Sequence, residues 1–454
     1  MLKNSSSKKQ LNLFQSPLSN ILDMNDPLIA LADTIDWKIF EEKFEKYYSK
    51  DGRPAKPIRL MVGILLLKQL ENLSDESVVL QWKRNPYYQY FCGLDELQII
   101  EPCHPTDLVY FRKRISTEGM KVIFAMSVSL HGKDVQEKQV IIDTTVQENN
   151  ITYPTDGKLA IKIINHLHKI AKVESIQMRR TYMKEIKGHR ISLRFFRHPR
   201  KIKKARSAMK RLKTIAKTLI RDLDRNFTQE QQEKYAEKFY LYMRILLQEK
   251  GSKNKIYSLH ESHAYAVGKG KDHKKWEYGT KASLVTTKKS GIIIGVASHK
   301  KNEHDSKTLE AALTSANSNR TKLIKEAICD RGYVGKKEVL NTKISLPGVP
   351  LKRDTKYQKE QKREKFRRRA AIEPIIGHVK SDHRMKINYL KGFIGDEINL
   401  LLAASAFNLK KWMNNFIQFI ILLKLLMLTT ALLQQKQEDR HKYDKLFLLL
   451  FRLW

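Results

Sequence analysis

Residues 139 to 146, Gln-Val-Ile-Ile-Asp-Thr-Thr-Val, constrain the fold most tightly. The run is apolar and β-branched and reads as a buried strand, yet it carries one acid, Asp143. Aspartate has low strand propensity, and burying a lone carboxylate is costly, so the acid needs a reason. A metal at the strand edge is one such reason; a strand-end cap is the other. A second acid has the same setting in Ala327-Ile328-Cys329-Asp330-Arg331-Gly332-Tyr333, where a short apolar run ends in a carboxylate and a glycine turn. Between the two lie strand patterns at residues 281–285 and 291–298, joined by a turn, and helical periodicity over residues 306–316. A further short strand at residues 344–346 and a basic loop at residues 352–365 lead into Phe366-Arg367-Arg368-Arg369-Ala370-Ala371-Ile372-Glu373-Pro374-Ile375-Ile376-Gly377-His378-Val379-Lys380. On one continuous helix Phe366, Arg369, Glu373 and Lys380 fall within roughly a 100° sector, placing one carboxylate between two cations. A solvated face with an Arg369–Glu373 salt bridge is the plainer reading of that helix taken alone. Strands and helices in alternation, with acids at strand ends, predict an α/β sheet with a metal site at its carboxyl edge. Asp143, Asp330 and Glu373 would there hold two Mg²⁺ ions about 3.5 to 4 Å apart, the arrangement for in-line displacement at phosphorus.

Charge supports a polyanionic partner. The 454 residues contain 86 Lys and Arg against 48 Asp and Glu, a formal net charge of +38, and self-repulsion on that scale points to nucleic acid first and an anionic membrane surface second. Cys92, Cys103 and Cys329 have no paired or Cys-x-x-Cys spacing, which predicts reduced thiols, a cytosolic chain and no zinc site. The first ten residues are polar and lack the apolar core of a signal peptide.

Four regions follow from the patterning: a flexible N-terminus over residues 1–26, a helical domain over 27–132, an α/β domain over 133–415, and an apolar tail over 416–454. In the helical domain, Pro57 opens a helix with one apolar face ending near Asn72, and Ser74 followed by Asp75 and Glu76 caps a second. Pro86 stops that one. The cluster Tyr87-Tyr88-Gln89-Tyr90-Phe91 reads as helix packing, and Phe111-Arg112-Lys113-Arg114 as the start of a basic helix. Short helices with cations on one side suit a helix-turn-helix-like DNA reader, with Arg112, Lys113 and Arg114 on the DNA; small helical bundles have the same pattern. Residues 157–255 form a helical insertion. Eight Lys or Arg and no acid lie between Lys201 and Ile220, so Lys203, Lys204, Lys210 and Arg211 are candidate contacts to DNA backbone. Residues 416–433 are apolar but interrupted by Gln418, Lys424, Thr429 and Thr430; a charge mid-span is costly, so a packing or partner helix is favoured over a membrane span.

These blocks resemble the DDE transposases of bacterial insertion sequences, specifically the insertion-sequence-five type. Asp143 stands in Ile-Asp-Thr-Thr-Val-Gln-Glu-Asn-Asn-Ile-Thr-Tyr-Pro-Thr-Asp, and Asp330 in Cys-Asp-Arg-Gly-Tyr, similar to the family's second-acid signature. Arg369, Glu373 and Lys380 keep the spacing of a Tyr-Arg-Glu-Lys signature whose Tyr position is here Phe366. Supporting blocks are Leu259-His260-Glu261 with Gly268-Lys269-Gly270-Lys271, Asn302-Glu303-His304-Asp305, Asp382-His383-Arg384-Met385 and Asn399-Leu400-Leu401-Leu402-Ala403-Ala404, and the helical domain resembles the family's N-terminal one. The resemblance runs over roughly residues 27–415 and fails in the tail. It implies an RNase H-like mixed sheet core, Mg²⁺ with Mn²⁺ as a substitute, and a nucleoid-associated cytoplasmic enzyme working as a homodimer or larger complex without a membrane. The implied reaction cleaves DNA at terminal inverted repeats and joins the exposed 3′-hydroxyl to target DNA.

Other residues are weighed against this set. Asp305 is expected to cap the helix from Ser306, Asp156 to belong to a Pro-Thr-Asp-Gly turn, and Asp382 to support from the opposite side of its helix. His260, His263 and His273 suit phosphate contact or exposure better than Mg²⁺, which prefers oxygen. Trp276 is expected in the core. Arg369, Lys380 and Arg384 are the candidate phosphate contacts near the scissile bond. Three rival readings remain: a decayed copy that binds DNA without catalysis, a general metal-dependent nuclease, and a membrane-surface protein anchored by residues 416–433.

Overall fold

The computed structural model describes residues 16–49, 51, 54–249, 251–268, 275–346, 348 and 350–451, and the side chains within these apart from 365, 366 and 431–451. The strand carrying Asp143, β1 (Gln139–Asn149), lies inside a mixed eight-stranded sheet. Its Val140, Ile141, Ile142 and Val146 side chains are almost wholly buried, so both faces of the strand are covered, the condition under which alternation gives way to a continuous apolar run.

On one edge β1 pairs antiparallel with β3 (Trp276–Thr287), from Val140 opposite Thr287 to Glu148 opposite Gly279. The backbones approach so closely there that a Cβ on Gly279 would meet the Gln147 carbonyl oxygen, which is why glycine stands at that point. The far edge of β3 is shared by β2 (Tyr265–Gly268) and β4 (Ile293–His299), both antiparallel. On its other edge β1 pairs in parallel with β5 (Glu326–Ile328), but only over residues 139–141, and again with β8 (Ile387–Asn388) at residues 148–149. The β1 edge between those pairings is left open, and Asp143 lies in that gap. The sheet continues through β7 (Thr342–Ser345), parallel to β5, to β6 (Glu338–Val339), which is antiparallel to β7.

The N-terminal region holds α1 (Pro27–Thr34), α2 (Lys38–Phe44), α3 (Ile58–Leu70), α4 (Asp75–Arg84), α5 (Pro86–Phe91) and α6 (Pro105–Ser129). Ser74 caps α4 as expected, its side chain accepting from the Ser77 N–H. Pro86 ends one helix by opening another, since its fixed φ and missing N–H suit a first helical position. The basic helix starts earlier than its cations suggest, at Pro105, with His104 in a capping box with Asp107. The single apolar face expected for α3 is instead burial on nearly all sides, because helices pack around it on every flank.

Between β1 and β2 the insertion forms α7 (Asp156–Val173), α8 (Met183–Ser192), α9 (Ile202–Asn226) and α10 (Gln229–Leu247) around its own core, built on Leu167, Leu212, Leu219, Phe239 and Tyr242. Asp156 is the first residue of α7 behind a Thr155 cap, not a turn residue. After β4 come α11 (Asp305–Ser318), α12 (Lys356–Ala370), α13 (Ile372–Ser381) and α14 (Gly392–Phe451). The N-terminal helices, the sheet, α11 and the first part of α14 share one continuous core from Leu28 to Met413. Asn408 of α14 is fully buried and bonds both the N–H and the C=O of Ile293, closing the backbone of β4.

Candidate active site

Three elements converge beside the gap in β1. Asp143 is the fifth residue of an eleven-residue strand, not its end; it has a side chain 14% exposed and accepts from the Thr144 N–H at 2.8 Å. β5 stops at Ile328, opposite Ile141, so the chain that follows it turns beside Asp143. There Asp330 opens a short 3₁₀ turn, its Oδ1 accepting from the Gly332 N–H at 2.8 Å. Glu373 stands in the first turn of α13, which packs against β1, and its side chain is 58% exposed.

The helix expected to be continuous over residues 366–380 is two, meeting at Ala371. Pro374 explains the break: it has no N–H to bond the carbonyl of Ala370, and its ring crowds that carbonyl. Arg369 ends the first helix and Glu373 begins the second, and the bend leaves them close. Arg369 Nη1 lies 3.3 Å from Glu373 Oε1, while Nη2 lies 3.5 Å from Asp143 Oδ2 and 3.9 Å from Asp330 Oδ2. One guanidinium therefore draws together all three acids marked by the sequence. The i,i+4 salt bridge of the plainer reading exists, but it is one arm of a four-residue cluster.

Three carboxylates against one guanidinium leave the site short of positive charge, and every donor in it is a hard oxygen, the ligand type of Mg²⁺ and Mn²⁺. Gly332 leaves further room: a Cβ there would lie 3.0 Å from Asp330 Oδ1 and 3.2 Å from Asp305 Oδ2. The donor chemistry fits a divalent ion. Among the described residues no three acidic, His or Cys groups stand close enough to share one ion as they are placed, with Arg369 lying among the three acids.

Sequence reasoning missed the layer behind the acids. Asp305 does not cap α11; the His304 ring does, accepting from the Ser306 N–H, and Asp305 is the first helical residue. Its Oδ1 accepts from the Thr144 hydroxyl at 3.0 Å and from the Lys281 ammonium at 2.9 Å. Lys281 is itself 8% exposed and also donates to the Glu303 carbonyl at 2.7 Å. Tyr333 is fully buried; burial first, and then the charge of Asp143, push its hydroxyl well above the ordinary phenol range. The one signal in the sequence was the block Asn302-Glu303-His304-Asp305.

The remaining candidates divide. Arg112 is a correction: it is 4% exposed, and its two terminal nitrogens fork onto Asp75 at 2.9 and 2.6 Å, so it holds the N-terminal helices together and is not available to DNA. Consecutive helical residues point about 100° apart, so a run of three cations cannot all face outward. Lys113 and Arg114 are exposed, with Arg114 stacked on Tyr48. Lys203, Lys204 and Lys210 are exposed on α9, Lys203 and Lys210 opposite its buried Ala208, Leu212, Ile215 and Leu219 and Lys204 at the flank of that stripe near the helix start. Arg211 is exposed but tied to Glu185 at 2.6 Å. Arg384 takes a left-handed conformation, φ 60°, and donates to the Asn72 carbonyl at 3.1 Å, joining the end of α13 to the N-terminal helices. Lys380 is half-buried in the last turn of α13. Asp382 pairs with His378 at 2.8 Å and His263 with Asp396 at 2.8 Å, both structural contacts. Trp276 is 42% exposed rather than core. The side chain of Phe366, the Lys269–Lys271 block and His273 lie outside the described residues.

Comparison with known proteins gives two family matches. The Transposase domain (DUF772) family matches residues 16–114, and the Transposase DDE domain family matches residues 251–409. Asp330 and Glu373 fall within the second match, and Asp143 lies between the two. An uncharacterized protein, ORF8 in the nfe locus of Rhizobium meliloti, is 36% identical over 194 residues, 42% of this chain and 94% of that protein. No solved structure matches the chain.

Proposed function

Because the chain belongs to the DDE transposases, we propose that it is an insertion-sequence transposase of the insertion-sequence-five type, which binds its element's terminal inverted repeats, cleaves there and joins the 3′-ends to target DNA. The observation that carries this reading is the convergence of Asp143, Asp330 and Glu373 on Arg369 from three separate elements. A β4-β3-β1-β5-β7 strand order, antiparallel on one side of β1 and parallel on the other, supports an RNase H-like core.

Asp143, Asp330 and Glu373 would hold two Mg²⁺ ions, with Mn²⁺ able to substitute. Bound there, such ions supply Lewis-acid stabilisation of the attacking and departing oxygens. Arg369 exchanges its carboxylate contacts for the scissile phosphate, where a planar guanidinium binds two oxygens at once. Lys380 adds a second cation on the same helix pair. Lys113 and Arg114 on α6, with Lys203, Lys204 and Lys210 on α9, hold DNA backbone away from the reacting centre. Two ends joined in one reaction imply at least a homodimer at work, acting on DNA in the cytoplasm.

The test is Asp330→Asn with labelled element-end DNA and Mg²⁺. Asparagine keeps the shape and loses the charge, so cleavage should fall at least a thousandfold while DNA binding stays within about twofold; undiminished cleavage overturns the reading. Whether cleaved ends appear joined to a second duplex separates a transposase from a general nuclease.

A further inference from the structure

We propose that Asp305 is the positioning residue that keeps Asp143 and Asp330 in register for ion binding, a role that rests on the three-acid reading above. Its carboxylate bonds two chain segments that are distant in sequence and closely approaches a third. Through Oδ1 it accepts from the Thr144 hydroxyl, one residue after Asp143 on β1, and from the Lys281 ammonium on β3. Through Oδ2 it faces Gly332, the residue whose N–H is held by Asp330 Oδ1.

The need for such a tie follows from the sheet. β5 pairs with β1 over only residues 139–141, and both acids stand past the end of that pairing. The β1–β5 ladder therefore ends short of the two acids and does not itself fix their spacing. Asp305 spans the gap from the far side, at the first position of α11, where the positive end of the helix favours a carboxylate. Lys281 neutralises it, so the fourth acid adds rigidity without adding repulsion to the other three. Gly332 fits the same scheme, since a side chain there would force the Asp330 and Asp305 carboxylates apart.

The experiment is Mn²⁺ titration of the full chain by calorimetry, read beside DNA binding and thermal melting. Asp305→Asn alone strands the buried Lys281 charge, so the decisive variant is Asp305→Asn with Lys281→Met, which removes both charges together. The proposal expects this double variant to melt cooperatively and bind DNA as the wild type does, yet to bind Mn²⁺ at least tenfold more weakly. Thr144→Val should weaken Mn²⁺ binding in the same direction, and Thr144→Ser, which keeps the hydroxyl, should restore it. Wild-type Mn²⁺ affinity in the double variant overturns the proposal and leaves Asp305 as a counter-charge for Lys281. A wild-type chain that binds no Mn²⁺ overturns the metal reading itself, and this one with it.

Discussion

Asp75 carries more of the N-terminal region than its place in a capping sequence suggests. It accepts both arms of Arg112 and the ammonium of Lys68 at 2.9 Å, and all three side chains are largely buried. Burial alone would raise its carboxyl, but the bonds from Arg112 and Lys68 outweigh it and hold the group down to about 2. Burial also lowers Lys68 to about 8. Asp75→Asn would leave two buried cations without a counter-ion, and breaking a buried pair this way costs roughly 3 to 5 kcal/mol. Denaturant unfolding of the full chain should show that loss. A second residue gives a pH dependence. His299 is bonded to the Ser283 hydroxyl at 2.8 Å, and burial, with the nearby Lys281 charge, lowers it to about 4 from an ordinary 6.5. The folded ring stays neutral where the unfolded one would protonate, so its contribution is intact above pH 6.5 and is lost as pH falls toward 4. Melting temperature should decline across that window, and His299→Gln should make the decline shallower.

Among the elements, α9 separates packing from charge most fully. Ala205, Ala208, Leu212, Ile215, Ala216, Leu219 and Leu223 face the insertion's core, while Lys203, Lys204 and Lys210 face solvent. Replacing those three with glutamine should leave melting nearly unchanged, because no buried group is touched. It should weaken DNA binding and reduce the slope of log affinity against log salt by up to about 3, roughly one unit for each phosphate no longer neutralised. The same period-3.6 pattern that made α9 legible misled at α12 and α13. The side chains on that face follow helical spacing, but Pro374 removes one backbone bond, and Arg369 and Glu373 come to lie on two helices. Their closeness was readable from an i,i+4 spacing; the reach of Arg369 to Asp143 and Asp330 was not, since it depends on how α13 docks against β1.

At the scale of the whole molecule, one core joins the N-terminal helices to the sheet through α14, and a second belongs to the insertion alone. α14 leaves that core after Met413: Phe419, Ile421, Leu422, Leu425, Leu426, Met427 and Leu428 are 53 to 66% exposed. The stretch Gly392–Thr430 is long and apolar enough to cross a membrane, by length and composition only. Since residues 417–430 bury little against the rest, a chain ending at residue 415 should melt within a few degrees of the full one, and should be less prone to associate in light scattering. The sequence alone determined the alternation of strands and helices and the basic insertion, because periodicity, propensity and charge are local properties, and it marked Asp143, Asp330 and Glu373 as candidates. Only the tertiary structure decided that Arg112 is a core residue, that Asp305 lies behind the acids and that all three acids share Arg369. Those facts depend on which strand ends beside which and how helices turn against them, and no local pattern encodes that.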